Sequence, residues 1–102
     1  MIKLKKSKSR CSFHGDEIAT TVSLLKNVLG EPQHGMNDGK NKVNYMWDCF
    51  TYDNVFFTIY DCRVYRPIGD FELIKFHIGA ATEEDSKHAK KCLSAVFASY
   101  GG

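Results

Sequence analysis

The residue types best suited to chemistry in this 102-residue chain gather in VFFTIYDCRVYR, residues 55–66, and in FHIGA, residues 76–80. Tyr60, Asp61, Arg63, Tyr65, Arg66 and His77 fall there on neighbouring extended segments, with Lys75 two positions before His77 and Trp47 on the segment before. Guanidinium groups at Arg63 and Arg66 could grip phosphate oxygens in bidentate fashion, with Lys75 and His77 as further donors, while Tyr45, Trp47, Tyr60 or Tyr65 could stack on a base. The candidate ligand-binding set is therefore Tyr60, Asp61, Arg63, Tyr65, Arg66, Lys75, His77 and Trp47. A purely structural reading competes with it: Asp61 pairs with Arg63 or Arg66 on a solvated strand end, and Tyr60 and Tyr65 pack against helices with their hydroxyls at the surface.

Catalysis would need Asp61 or Asp48 beside His77 as an acid–base pair, or Cys62 beside His77 as a nucleophile pair. Neither matches a recognised catalytic motif, and a chain of this length makes one domain without a separate catalytic module. The reading is a binding protein, not an enzyme. The four cysteines, Cys11, Cys49, Cys62 and Cys92, are widely spread and read as buried thiols in a reducing compartment. Cys11 and His14 form one C-x-x-H half-site without a matching second half, so neither a metal nor another cofactor is expected.

The elements that must position these residues follow from periodicity. From about Asp16, Ile18, Val22, Leu25 and Leu29 recur at helical spacing, and Gly30 with Pro32 ends the run, which predicts a first helix. Residues 33–41, rich in glycine, Asn and Asp, predict a loop. Residues 42–50, 55–65 and 71–78, separated by short turn sequences, predict an antiparallel meander. Thr82 followed by Glu83, Glu84 and Asp85 predicts a capped second helix whose apolar stripe holds Ala89, Cys92, Leu93, Val96, Phe97 and Tyr100, and Gly101-Gly102 its glycine end.

The expected fold class is α+β, in the order αβββα: a three-stranded antiparallel meander with two helices packed on one face. Residues 13–102 form one domain, and residues 1–12 a basic, flexible tail. Two helices cover one face of such a sheet and leave aromatic residues on the other, which predicts a ligand groove or a subunit interface and hence a homo-oligomer.

Formal charge is only +2, and much of it comes from Lys3, Lys5, Lys6, Lys8 and Arg10. Such a tail could make weak contact with nucleic acid, although the predicted strand order and the missing aromatic–glycine signature differ from the common RNA-binding sheet. No stretch approaches the ~20 apolar residues of a membrane span, and residues 1–10 lack a secretory pattern, so a cytosolic location is expected.

LGEP at residues 29–32, KVNYMW at 42–47, TIYDCRVYR at 58–66 and FHIG at 76–79 together resemble a pattern in small accessory proteins of bacteriophages and other large DNA viruses. Cys62 and Phe76 stand where that pattern has tryptophan. The resemblance implies a viral protein acting stoichiometrically in the host-cell cytosol against a defence component. Its implied ligand is a nucleotide-type, phosphate-bearing signal; the alternative is direct inhibition of a defence protein or nucleic-acid effector.

Overall fold

The computed structural model describes residues 3–4, 12–32, 35, 43–51, 53–62, 64 and 66–101. Its elements are β1 (Lys3–Leu4), β2 (Ser12–Thr20), α1 (Val22–Leu29), β3 (Met46–Phe50), β4 (Phe56–Tyr60), β5 (Ile74–Ala80) and α2 (Glu83–Gly101). The class is α+β. All strand pairs are antiparallel, in the order β1-β3-β4-β5-β2.

The predicted meander is present as β3-β4-β5, and the sheet is wider than three strands. Residues 12–20, expected as the end of a tail and the start of a helix, form a strand paired with β5, and Lys3 and Leu4 pair with Phe50 and Cys49. Ile18 happens to lie four positions before Val22, so it extends the helical period of α1 while its own side chain serves a strand. The helix begins later because extended Thr21 caps it, its hydroxyl accepting from the Leu24 amide at 3.1 Å. The α2 start agrees with the expected cap: Thr82 accepts from the Asp85 amide at 3.1 Å. The glycine end expected at 101–102 lies partly outside the described residues, as does Cys11.

Strand alternation sorts the sheet into two faces. Trp47 and Cys49, Phe57 and Ile59, Phe76, Ile78 and Ala80, and Ile18 point to one side, where Val22, Leu25 and Leu29 of α1 and Ala89 and Leu93 of α2 complete a single core. Both helices thus cover the same face. No helix among the described residues is long and apolar enough to cross a membrane.

Strand β2 carries an irregularity between Phe13 and Glu17. Phe13 pairs with Gly79 and Glu17 with His77, so four positions on β2 span two on β5. The even surplus keeps Phe13 and Glu17 on one face. Gly15 takes a φ of 97°, which favours glycine, and the distortion is fastened on both sides. His14 Nε2 lies 3.0 Å from the Ala80 carbonyl, and buried Ser86 of α2 donates its hydroxyl to Asp16 at 2.7 Å.

Candidate ligand-binding face

The face away from the helices is built in rows. Met46, Tyr60, His77 and Glu17 run across β3, β4, β5 and β2, and Asp48, Thr58, Gly79 and Phe13 make the next row. Phe50 opposite Phe56 extends it, their ring centroids 5.1 Å apart. Gly79 offers no side chain to block its neighbour, so the Phe13 ring leans over it onto the row beyond. There it stacks on the His77 imidazole, with centroids 4.0 Å apart and planes 16° from parallel.

His77 is the hub of this surface. The Tyr60 ring meets its edge at a centroid distance of 5.6 Å, and its Nε2 lies 3.2 Å from a Glu17 carboxylate oxygen. Glu17 and Tyr60 thereby fix the tilt of an imidazole that already carries Phe13 on one side. Phe13 keeps 43 % of its surface exposed, an aromatic platform half open to solvent. Lys75, two residues from His77 and therefore on the same face, is exposed. Asp48 is half-buried, and burial holds its carboxyl above the ordinary carboxylate range. Among the described residues, the face thus carries stacking surface, one exposed cation at Lys75 and carboxyl groups at Glu17 and Asp48.

Of the sequence-derived candidates, the structure brings Tyr60, Lys75 and His77 onto this face. Trp47 is fully buried on the opposite side, its indole N–H donating to the Gly30 carbonyl at 2.9 Å. Asp61 is also fully buried, and the ion pair with Arg66 considered for it does not form. Its carboxyl group accepts from the backbone amides of Asn44 at 2.9 Å and Tyr45 at 2.7 Å, a side chain doing the work of a strand carbonyl where β4 ends. Arg66 instead grips Glu72 with both Nη groups, Nη1 at 2.8 Å. Arg63 and Tyr65 lie outside the described residues. Phe13 and Glu17 were missed because their strand was read as tail and helix; only period-two alternation from Phe13 to Glu17 could have found them, and the distorted segment between them interrupts it.

Comparison with protein-family models, curated proteins and solved structures finds no match.

Among the described residues no group of three or more His, Cys, Asp or Glu side chains is placed to hold a metal ion. The His14 half of the C-x-x-H pair is occupied with the Ala80 carbonyl. Cys49 is fully buried, and burial together with the Asp48 charge pushes its thiol far above the ordinary range.

Two carboxylates outside the face, exposed Asp53 and half-buried Glu72, provide a test of the side-chain geometry. Hydrogen bonds from Arg66 and the Gly69 amide lower Glu72 to about 2 from an ordinary 4.5, and bonds from Thr51 and His88 lower Asp53 to about 2 from 3.8. Because both are depressed in the folded chain, their stabilising contribution is present above the ordinary values and is lost as pH falls through about 2. Carboxyl NMR titration is expected to show both midpoints near 2. Midpoints at ordinary values would show that these pairs do not persist in solution.

Proposed function

We propose that this protein is a stoichiometric binding protein that captures a nucleotide-type ligand on the open face of its sheet. The observation that carries the reading is Phe13, half exposed and stacked on His77 beside Tyr60. Every nucleobase has a π-face that such a platform accepts without regard to sequence. Glu17 and Asp48 offer acceptors to the N–H groups of a base, and Lys75 offers a cation to its phosphate. A flat platform touches one side of a base only. A second copy of the chain, related by a two-fold axis, supplies the other side, so the binding unit is proposed to be a homodimer. The role as a viral accessory protein that withdraws a defence signal in the host cytosol is supported by the motif resemblance in residues 29–32, 42–47, 58–66 and 76–79.

Native mass spectrometry of the protein purified from cells with active nucleotide-signalling defences tests the proposal. A dimer with a nucleotide-sized adduct is expected, and Phe13→Ala should remove the adduct. Loss of one stacking partner is worth about 1–3 kcal/mol, or roughly 5–150-fold in affinity. Melting temperature should barely move, because Phe13 contributes little to the core. A bare monomer would sink both the ligand and the dimer.

A second reading, direct inhibition of a defence protein, has its own observation. Phe71 and Leu73 are 84 % and 71 % exposed on the β4–β5 loop, and that loop is braced. Buried Ile68 plugs it into the core, the Ser23 amide donates to the Asp70 carbonyl at 2.9 Å, and the Glu72 amide to the Gly69 carbonyl at 3.1 Å. A rigid loop that keeps two large apolar side chains in water is suited to protein contact. In a plating assay on defended cells, the double variant Phe71→Ser, Leu73→Ser is expected to keep activity and Phe13→Ala to lose it. The reverse pattern would favour the direct inhibitor.

A further inference from the structure

Phe13 reaches His77 only because β2 is irregular between Phe13 and Glu17. Counted back from the Glu17–His77 pair in regular antiparallel register, Phe13 would fall opposite Ala81, past the end of β5 and four positions from His77. At about 3.4 Å per residue that is roughly 14 Å, too far for the two rings to meet. The observed pairing sets Phe13 opposite Gly79, two positions from His77, and the rings stack with centroids 4.0 Å apart. The stacking contact thus exists because β2 uses two more residues than β5 over this stretch.

Packing around Gly15 does not hold the irregularity. No described residue comes within 4 Å of where a Gly15 side chain would begin, and the residue serves through its φ of 97° alone. Side-chain bonds from both neighbours of Gly15 fix it instead. His14 Nε2 faces the Ala80 carbonyl at 3.0 Å, and because a carbonyl only accepts, that nitrogen carries the hydrogen. Asp16 accepts at 2.7 Å from the hydroxyl of Ser86, seventy residues away in sequence and fully buried on α2. A hydroxyl buried to that degree needs a partner, and Asp16 supplies it. This bond ties the strand that carries Phe13 to the helix layer on the other side of the sheet.

We propose that Asp16, held by Ser86, is a positioning residue of the ligand platform: their bond keeps β2 in its displaced register and so keeps Phe13 over His77. β2 is an edge strand, and bulges are enriched on sheet edges and beside functional sites, where they re-aim a side chain. The purpose of the arrangement rests on the reading of the open face as a ligand site; its geometry does not. Asp16 itself is turned to α2 and touches no ligand.

The experiment records NMR spectra of the full-length protein and of three variants, first alone and then with adenosine monophosphate as the probe. Phe13 lying flat on His77 moves the imidazole ring protons upfield by its ring current, a signature that needs no ligand. Asp16→Ala and Ser86→Ala are each expected to lose most of that displacement, whereas Asp16→Asn, whose carbonyl oxygen still accepts from Ser86, should keep it. The signal of the Trp47 indole, fully buried in the core, should stay in place throughout, which general loosening of the fold would not allow. If Ser86→Ala moves that signal, Asp16→Ala decides, since Asp16 is only half-buried. Probe affinity should fall about fivefold or more wherever the displacement is lost. His77 signals that stay unchanged in the deciding variant, or that are lost equally in Asp16→Asn, would overturn the proposal. Should the unaltered protein bind no adenosine monophosphate while the His77 signals follow the expected pattern, the positioning role stands and the nucleotide reading fails by itself.

Discussion

Asp61→Ala is expected to come close to unfolding the protein. Two buried backbone amides, those of Asn44 and Tyr45, lose their acceptor together, and a single water trapped in the void left by the carboxyl group would replace the charge-assisted bonds only in part. Each stranded donor costs about 1–3 kcal/mol, so the pair costs roughly 2–6 kcal/mol. A domain of this size has about 5–15 kcal/mol in hand, and the melting temperature should fall on the order of 20 °C. Asp61→Asn separates the bonds from the charge. Its carbonyl oxygen can keep the bonds made by Oδ1, while its amide group turns a donor toward the Asn44 amide, now 3.1 Å from Oδ2. It should cost less than Asp61→Ala and leave a folded protein. If that protein binds ligand as the unaltered chain does, Asp61 acts in the fold alone; a folded Asp61→Ala with an unchanged melting temperature would refute the bonding described here.

The same residue shows where a sequence stops being readable. An aspartate next to a tyrosine and two residues before an arginine invites pairing or ligand contact, because charged groups are seldom fully buried. What buries Asp61 is the approach of the chain at Asn44 and Tyr45, seventeen and sixteen residues earlier, with bare amides to satisfy. No local pattern announces that meeting. By contrast, α2 was legible from its threonine cap, acidic first turn and apolar stripe, and the β3-β4-β5 meander from short turns between apolar runs, since those signals are local.

Alternation along residues 42–50 places Tyr45, Trp47 and Cys49 on one face, yet it does not say which face the helices take. The answer depended on β2. Once residues 12–20 flank β5, Ile18 and Val22 carry the core continuously from sheet to α1, and Phe13, Phe50, Phe56 and Tyr60 of the described strands are left on the other face. Gly15 and the displaced register hid β2 from period-two counting.

Trp47 gives the sharpest separation of fold from function. The indole is fully buried, its centroid 5.7 Å from Tyr45 and 6.2 Å from Phe76, with Lys26 above the Tyr45 ring. Trp47→Ala removes the largest side chain of the core and should cost about 3–5 kcal/mol, measured as a shift in the urea midpoint with little change in slope. Trp47→Phe keeps an aromatic ring and gives up the bond to Gly30, a carbonyl near enough to the surface to find water, so it should lose less and stay folded. Because the ring points to the helices while Phe13, Tyr60 and His77 point away, folded Trp47→Phe is expected to bind ligand with unchanged affinity. For the same reason, the fluorescence of this single tryptophan should ignore a ligand that shifts the NMR signals of His77 and Tyr60. A tenfold loss of affinity in folded Trp47→Phe, or a ligand that quenches the indole and leaves His77 untouched, would move the site from the open face to the side beneath the helices, and the stacking platform at Phe13 would then have no part in binding.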